Sequence, residues 1–127
     1  MTTAASTTTS PVFYTVSTYN GEISGTQTVT FQQMLTSYGV TASVYAVAAA
    51  QYSSTMVASD AITACLDFVV YNEGNDEAYY QAELYYDTYS SFWECEQYHT
   101  DVPAASMYTT RVSTVGTVYA FSAIGGD

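Results

Sequence analysis

The chain of 127 residues carries twelve acids against one arginine (Arg111), one histidine (His99) and no lysine, a formal net charge of -11 at pH 7. That field repels phosphate backbones and offers no basic stripe to release counterions, which argues against nucleic acid and against anionic membranes as partners. Neither a GxGxxG nor a GxxxxGK[ST] segment occurs, so no phosphate-bearing cofactor is expected, and charged residues make up only 10% of the chain, with Ser, Thr, Tyr and Ala in their place.

Residues 1–10 are a Ser/Thr tract closed by Pro11, with no large side chain to anchor it. They read as a flexible arm ahead of one β-rich domain over 11–127, or as a strand that adds to the sheet of a neighbouring subunit. The tract lacks the basic and apolar regions of a signal peptide, and no apolar run is long enough for a transmembrane helix. Val12, Tyr14, Val16 and Thr18 then alternate with Phe13, Thr15, Ser17 and Tyr19, which is strand periodicity. Asn20-Gly21 supplies the positive φ values of a type I′ hairpin turn, Gly25 allows a second turn, and Thr26–Phe31 follows as the next strand.

Phe31, Met34, Leu35 and Tyr38 fall at i, i+3, i+4 and i+7. With Thr30 placed to cap and Gly39 to terminate, this spacing predicts one short helix over 31–38. The Ala-rich stretch Val40–Tyr52 fits a buried strand or a helix equally. Ile62–Tyr71 and Phe92–Tyr98 read as strands, with the polar run Asn72–Glu77 as a turn between the first of them and the next segment. Tyr79–Tyr89 alternates, with Gln81, Glu83, Tyr85, Asp87 and Tyr89 on a wet face and Ala82, Leu84, Tyr86 and Thr88 on a core face. A helix capped by Asn75 is the alternative for that segment. Met107–Val115 and Thr117–Ala123, joined at Gly116, read as a closing pair of strands. The expected fold class is mainly β, a two-layer β-sandwich or flattened barrel with one short helix.

Cys65 and Cys95 are expected to form a disulfide, which by loop closure over about thirty residues would contribute roughly 3.5 to 4 kcal/mol. Two buried thiols are the alternative, and no zinc-type spacing is present. A disulfide and a hydroxyl-rich surface suit an extracellular or virion-surface setting.

Ten of the twelve acids lie between Asp60 and Asp101. The plain reading is a solvated acidic face. The oxygen-rich run Asn72, Glu73, Asn75, Asp76 and Glu77 is also a candidate calcium site, although it lacks the EF-hand spacing. Glu94, Glu96, His99 and Asp101 bring carboxylates near an imidazole, and Cys95 with His99 would make a nucleophile pair only if Cys95 were a free thiol. Glu83 with Asp87 or Glu94 would be the carboxyl pair of a glycosidase, but no catalytic signature accompanies them and no enzyme is expected. Arg111 is expected to pair with an acid on a neighbouring strand.

Tyr79, Tyr80, Tyr85, Tyr86, Tyr89, Phe92, Trp93 and Tyr98 concentrate aromatic area in twenty residues. Tyr85, Tyr89 and Trp93, with Glu83 and Asp87, form the candidate binding face, since Tyr gives contact area and an orienting hydroxyl at low entropic cost. Cross-strand pairing within the sheet is the competing use of the same rings. The expected function is that of a non-enzymatic β-domain acting by self-association or by docking a protein partner. The alternatives are a small carbohydrate-binding module and a secreted toxin or inhibitor. Because protonation relieves mutual repulsion among the acids, stability at pH 5 is expected to equal or exceed that at pH 8.

Overall fold

A computed structural model describes residues 12–20, 24–43, 46–73, 80–99 and 104–126. The Ser/Thr tract and Gly21 of the expected hairpin turn lie outside these residues. In chain order the elements are β1 (Phe13–Asn20), β2 (Gly25–Tyr38), β3 (Val40–Thr41), β4 (Ala48–Ser53), α1 (Ala58–Glu73), β5 (Tyr80–Asp87), β6 (Phe92–His99), α2 (Ala104–Met107), β7 (Thr110–Arg111) and β8 (Val115–Gly126). Six strands form one antiparallel sheet in the order β1-β2-β8-β5-β6-β4, curled into half a barrel, and β3 pairs with β7 in a small second sheet. The mainly-β class follows from the alternation and turn chemistry of the sequence. The β1–β2 hairpin is present, in unbroken register from Phe13↔Gln32 to Asn20↔Gly25, but Asn20 is the last ladder residue of β1 and not a central residue of the expected two-residue type I′ turn.

One face of the sheet is covered by α1. Ala61, Ile62, Cys65, Leu66, Val69 and Val70 are buried on that helix and pack with Val16, Val29, Phe31, Ala82, Leu84, Cys95 and Phe121 from the strands. Each large aliphatic or aromatic side chain removed from water in this contact contributes about 1.5–3 kcal/mol. The Cys65–Cys95 disulfide crosses it, joining the middle of α1 to β6 with a Cα–Cα distance of 5.5 Å. Side-chain hydrogen bonds place the helix further. The Tyr52 hydroxyl donates to the Ala64 carbonyl (3.1 Å), Trp93 Nε1 donates to the Met56 carbonyl (2.9 Å), and Thr18 Oγ1 donates to Asp67 Oδ1 (2.8 Å).

The opposite face is covered in its middle by a smaller layer, where Met107 and Tyr108 pack on Tyr98 and Ala120 with Leu35, Val40, Ala42 and Ala46 around them.

The helix lies elsewhere than the spacing predicted. Residues 31–38 continue strand β2, and Ile62–Tyr71, expected as a strand, lies inside α1. The buried set at 61, 62, 65, 66, 69 and 70 is the helical stripe that the run Phe68-Val-Val-Tyr71 disguised. In β2 an irregularity between Gln33 and Leu35 leaves Met34 as an extra residue opposite Phe121–Ala120 of β8. Phe31 therefore joins the α1 core while Leu35 joins the cluster on the other face, which sets the apolar residues at helix-like intervals along a strand.

Two further expectations are corrected. Residues 110–111 pair with β3, not with β8, and β8 instead runs between β2 and β5, so no C-terminal hairpin forms at Gly116. Gly116 lies within β8, where an added Cβ would come to 3.5 Å from the Tyr86 carbonyl oxygen. The open segment Val40–Tyr52 resolves into β3 and β4, and Tyr80–Asp87 is a strand, not a helix.

Candidate functional site

The residues proposed as one binding face do not share a face. Tyr85, Glu94 and Gln51 stand opposite one another across β5, β6 and β4, while Tyr86 and Trp93 pair on the α1 side with their rings edge to face at 5.5 Å. Trp93 is half-buried there. Tyr89 sits in the β5–β6 turn, 87% exposed, with its backbone N–H donating to Asp87 Oδ1. Asp87 thus orders a turn. The Glu94 carboxylate is likewise engaged, accepting from Gln51 Nε2 and Ser90 Oγ at 2.9 Å each.

Glu83 overturns the wet-face reading outright, since it is fully buried at 0% exposure. Its strand lies between β6 and β8, and the second layer covers the face it points to. Tyr98 Oη lies 2.7 Å from Glu83 Oε1 and 2.6 Å from Glu96 Oε1, and the Tyr85 hydroxyl donates to Glu96 Oε2 at 3.3 Å. A phenol owns one hydrogen, so two carboxyl oxygens this close to it require a second proton in the group. Glu83 holds that proton. Burial pushes its pKa up to about 8, and the nearby Glu96 charge adds to this, against the opposing pull of the Tyr98 bond and the Ala42 amide. Below that value the acid is neutral, so the group holds one proton for each of its two short contacts, Tyr98 with Glu83 and Tyr98 with the Glu96 carboxylate. Burial first, and the adjoining carboxyls second, also raise the Tyr98, Tyr108 and Tyr85 phenols, so all three remain neutral over the ordinary pH range. Two acids sharing one proton resemble a catalytic pair, but a fully buried member cannot meet a substrate.

The remaining candidates divide simply. Cys95 is in the disulfide, so it offers no thiol to His99. Asn72 and Glu73 form the last turn of α1, while Asn75, Asp76, Glu77 and Asp101 lie outside the described residues. Among the described residues no three His, Cys, Asp or Glu side chains gather as metal ligands. Arg111 is exposed on β7 opposite Val40 and makes no ion pair with a described acid.

What the structure does gather is charge on one half of the sheet and none on the other. The acids of the sheet stand on β5 and β6, whereas β1, β2 and β8 contain no charged residue. β1 hydrogen-bonds to β2 along one side only, and among the described residues no strand pairs with its other side. Phe13 (51% exposed), Thr15, Ser17 and Tyr19 (61%) form its outward row, with Thr15 and Ser17 each sharing a 2.9 Å hydroxyl bond with Thr30 and Thr28 of β2. Beside this edge, a shallow groove of about 500 Å³ lies between β1 and α1, lined by Thr18, Tyr52, Asp67, Phe68 and Tyr71.

No family model, curated protein or solved structure matches the chain.

Proposed function

We propose that the chain is a non-enzymatic β-domain of an extracellular or virion surface that self-associates by pairing the free edge of β1 with the same edge of a second copy. The observation that supports this reading is an eight-residue edge strand with no charge, no proline and two exposed aromatics. Natural edges are ordinarily blunted by charge, proline or covering structure, and an unblunted edge is a template for another strand. Charge favours the same location, because two copies at -11 each repel one another except where both are uncharged. β1, β2 and β8 provide that surface. An antiparallel edge pair would also set Phe13 of one copy near Tyr19 of the other, adding aromatic contact across the joint.

Mass by light scattering behind a sizing column tests the reading on the full chain, on a version starting at Pro11, and on Thr15→Asp and Thr15→Val. The full chain and Thr15→Val are expected to run as multiples of 13.8 kDa, and Thr15→Asp as a monomer. A monomeric full chain, or an assembly indifferent to Thr15→Asp, overturns edge pairing. Loss of assembly only in the Pro11 version would transfer the contact to the Ser/Thr arm.

A further inference from the structure

The groove between β1 and α1 brings together a carboxylate and aromatic rings with no cation among the described residues to answer them. Asp67 and Tyr71 are four residues apart on α1, hence neighbours on its surface, and Phe68 lies between them in sequence on the same groove wall. Tyr71 is 66% exposed. Asp67 is held from one side, since its Oδ1 accepts from Thr18, and its charge acts on the Tyr52 phenol across the groove, adding to the effect of burial. The helix adds to the negative potential. Asp67, Phe68 and Tyr71 occupy the last two turns of α1, where the backbone carbonyls make the negative end of the helix dipole, and no basic residue stands in the last turn. β1 and β4, which supply the opposite wall, are uncharged.

We propose that this groove binds the arginine side chain of a basic partner protein. A planar guanidinium can pair with a carboxylate and lie on an aromatic ring at once, whereas the compact, strongly hydrated ammonium of lysine fits this combination less well. A net charge of -11 draws such a partner in and speeds the encounter. The chain owns a single arginine, on the small second sheet, so the groove calls for a different protein. This site is independent of the self-association reading, and its test does not depend on assembly.

Titration calorimetry of the full chain with an acetylated, amidated peptide bearing one arginine, and with the same peptide bearing citrulline, tests the proposal. Citrulline keeps the shape and removes the charge. The arginine peptide is expected to bind at least about tenfold more tightly than the citrulline peptide, and Asp67→Asn and Tyr71→Ala each to weaken it about tenfold, with Tyr71→Phe close to wild type. Asp67→Asn keeps a side-chain carbonyl for Thr18, and Tyr71 is exposed, so both variants are expected to retain the wild-type melting curve. Equal binding of the citrulline peptide, indifference to Asp67→Asn, or no heat from the arginine peptide at millimolar concentration overturns the proposal. If Arg111→Gln and Asp67→Asn both abolish self-association, the occupant is a second copy and the basic partner is excluded.

Discussion

Raising the pH from 5 to 8 is expected to destabilise this protein through Glu83. Its carboxyl ionises near 4.5 when unfolded and is pushed up to about 8 when folded. The folded state therefore holds a proton that the unfolded state releases, so this contribution is complete below the unfolded value and is lost as the pH rises through the folded one. At about 1.36 kcal/mol per pH unit, the full span corresponds to nearly 5 kcal/mol, of which about 3.5 falls between pH 5 and pH 8. Water entering around an ionised Glu83 takes back part of this, leaving a fall of about 2–3 kcal/mol. Urea unfolding followed by Trp93 fluorescence at half-unit steps of pH measures it directly, and Glu83→Gln serves as the matched chain that cannot ionise. The wild type is expected to lose stability across the interval while Glu83→Gln stays comparatively flat. A wild-type stability that holds or rises toward pH 8, or a Glu83→Gln profile of the same slope, would refute the assignment of the proton.

Tyr98→Phe removes the hydroxyl bound by both Glu83 and Glu96 and is expected to cost about 2–3 kcal/mol in the same assay at pH 6. Reducing the Cys65–Cys95 bond, or replacing both cysteines by serine, is expected to cost about 3.5 to 4 kcal/mol, seen as a lower melting temperature with reductant than without. Leu66→Ala empties a fully buried position under α1 and is expected to cost about 2–5 kcal/mol. Tyr89→Ser, on an exposed turn, should stay within about 0.5 kcal/mol of wild type, and a larger loss would show that Tyr89 packs against something beyond that turn.

The sequence announced whatever a short stretch decides for itself. Alternation from Val12 to Tyr19 marked β1 and its hairpin, and the two cysteines marked their bond. What it disguised depended on which neighbour covers which side. Met34 is an extra residue only because β8 pairs with β2 across it, and nothing between Phe31 and Tyr38 records that partner. The β-branched run in α1 outweighed a helical stripe whose six positions are evident once the sheet beneath it is known. The alternation of β5 groups Glu83 with the solvent-facing residues. Alternation says that two faces differ, but it does not say that one of them is wet, and here the layer that includes Val40, Ala42, Ala46, Met107 and Tyr108 closes over the second face. The candidate binding face failed for the same reason, since Tyr85 and Trp93 are eight residues apart on different strands and their sides follow from register. The groove at Asp67 and Tyr71 could have been found from their i, i+4 spacing had the helix been assigned.

The strand order has a consequence for how the chain comes to be folded. β8, the last strand in the sequence, occupies the middle of the sheet between β2 and β5. A chain emerging from the ribosome can make the β1–β2 hairpin early, and later the β5–β6 pair with β4 alongside. These halves have no common backbone ladder until residues 115–126 arrive. Completion of the fold thus waits for residues 115–126, and nearly every lasting contact of β8 is made with residues far behind it in the chain. Such non-local closure is slow, and the uncharged β1–β2 hairpin stands exposed in the interval.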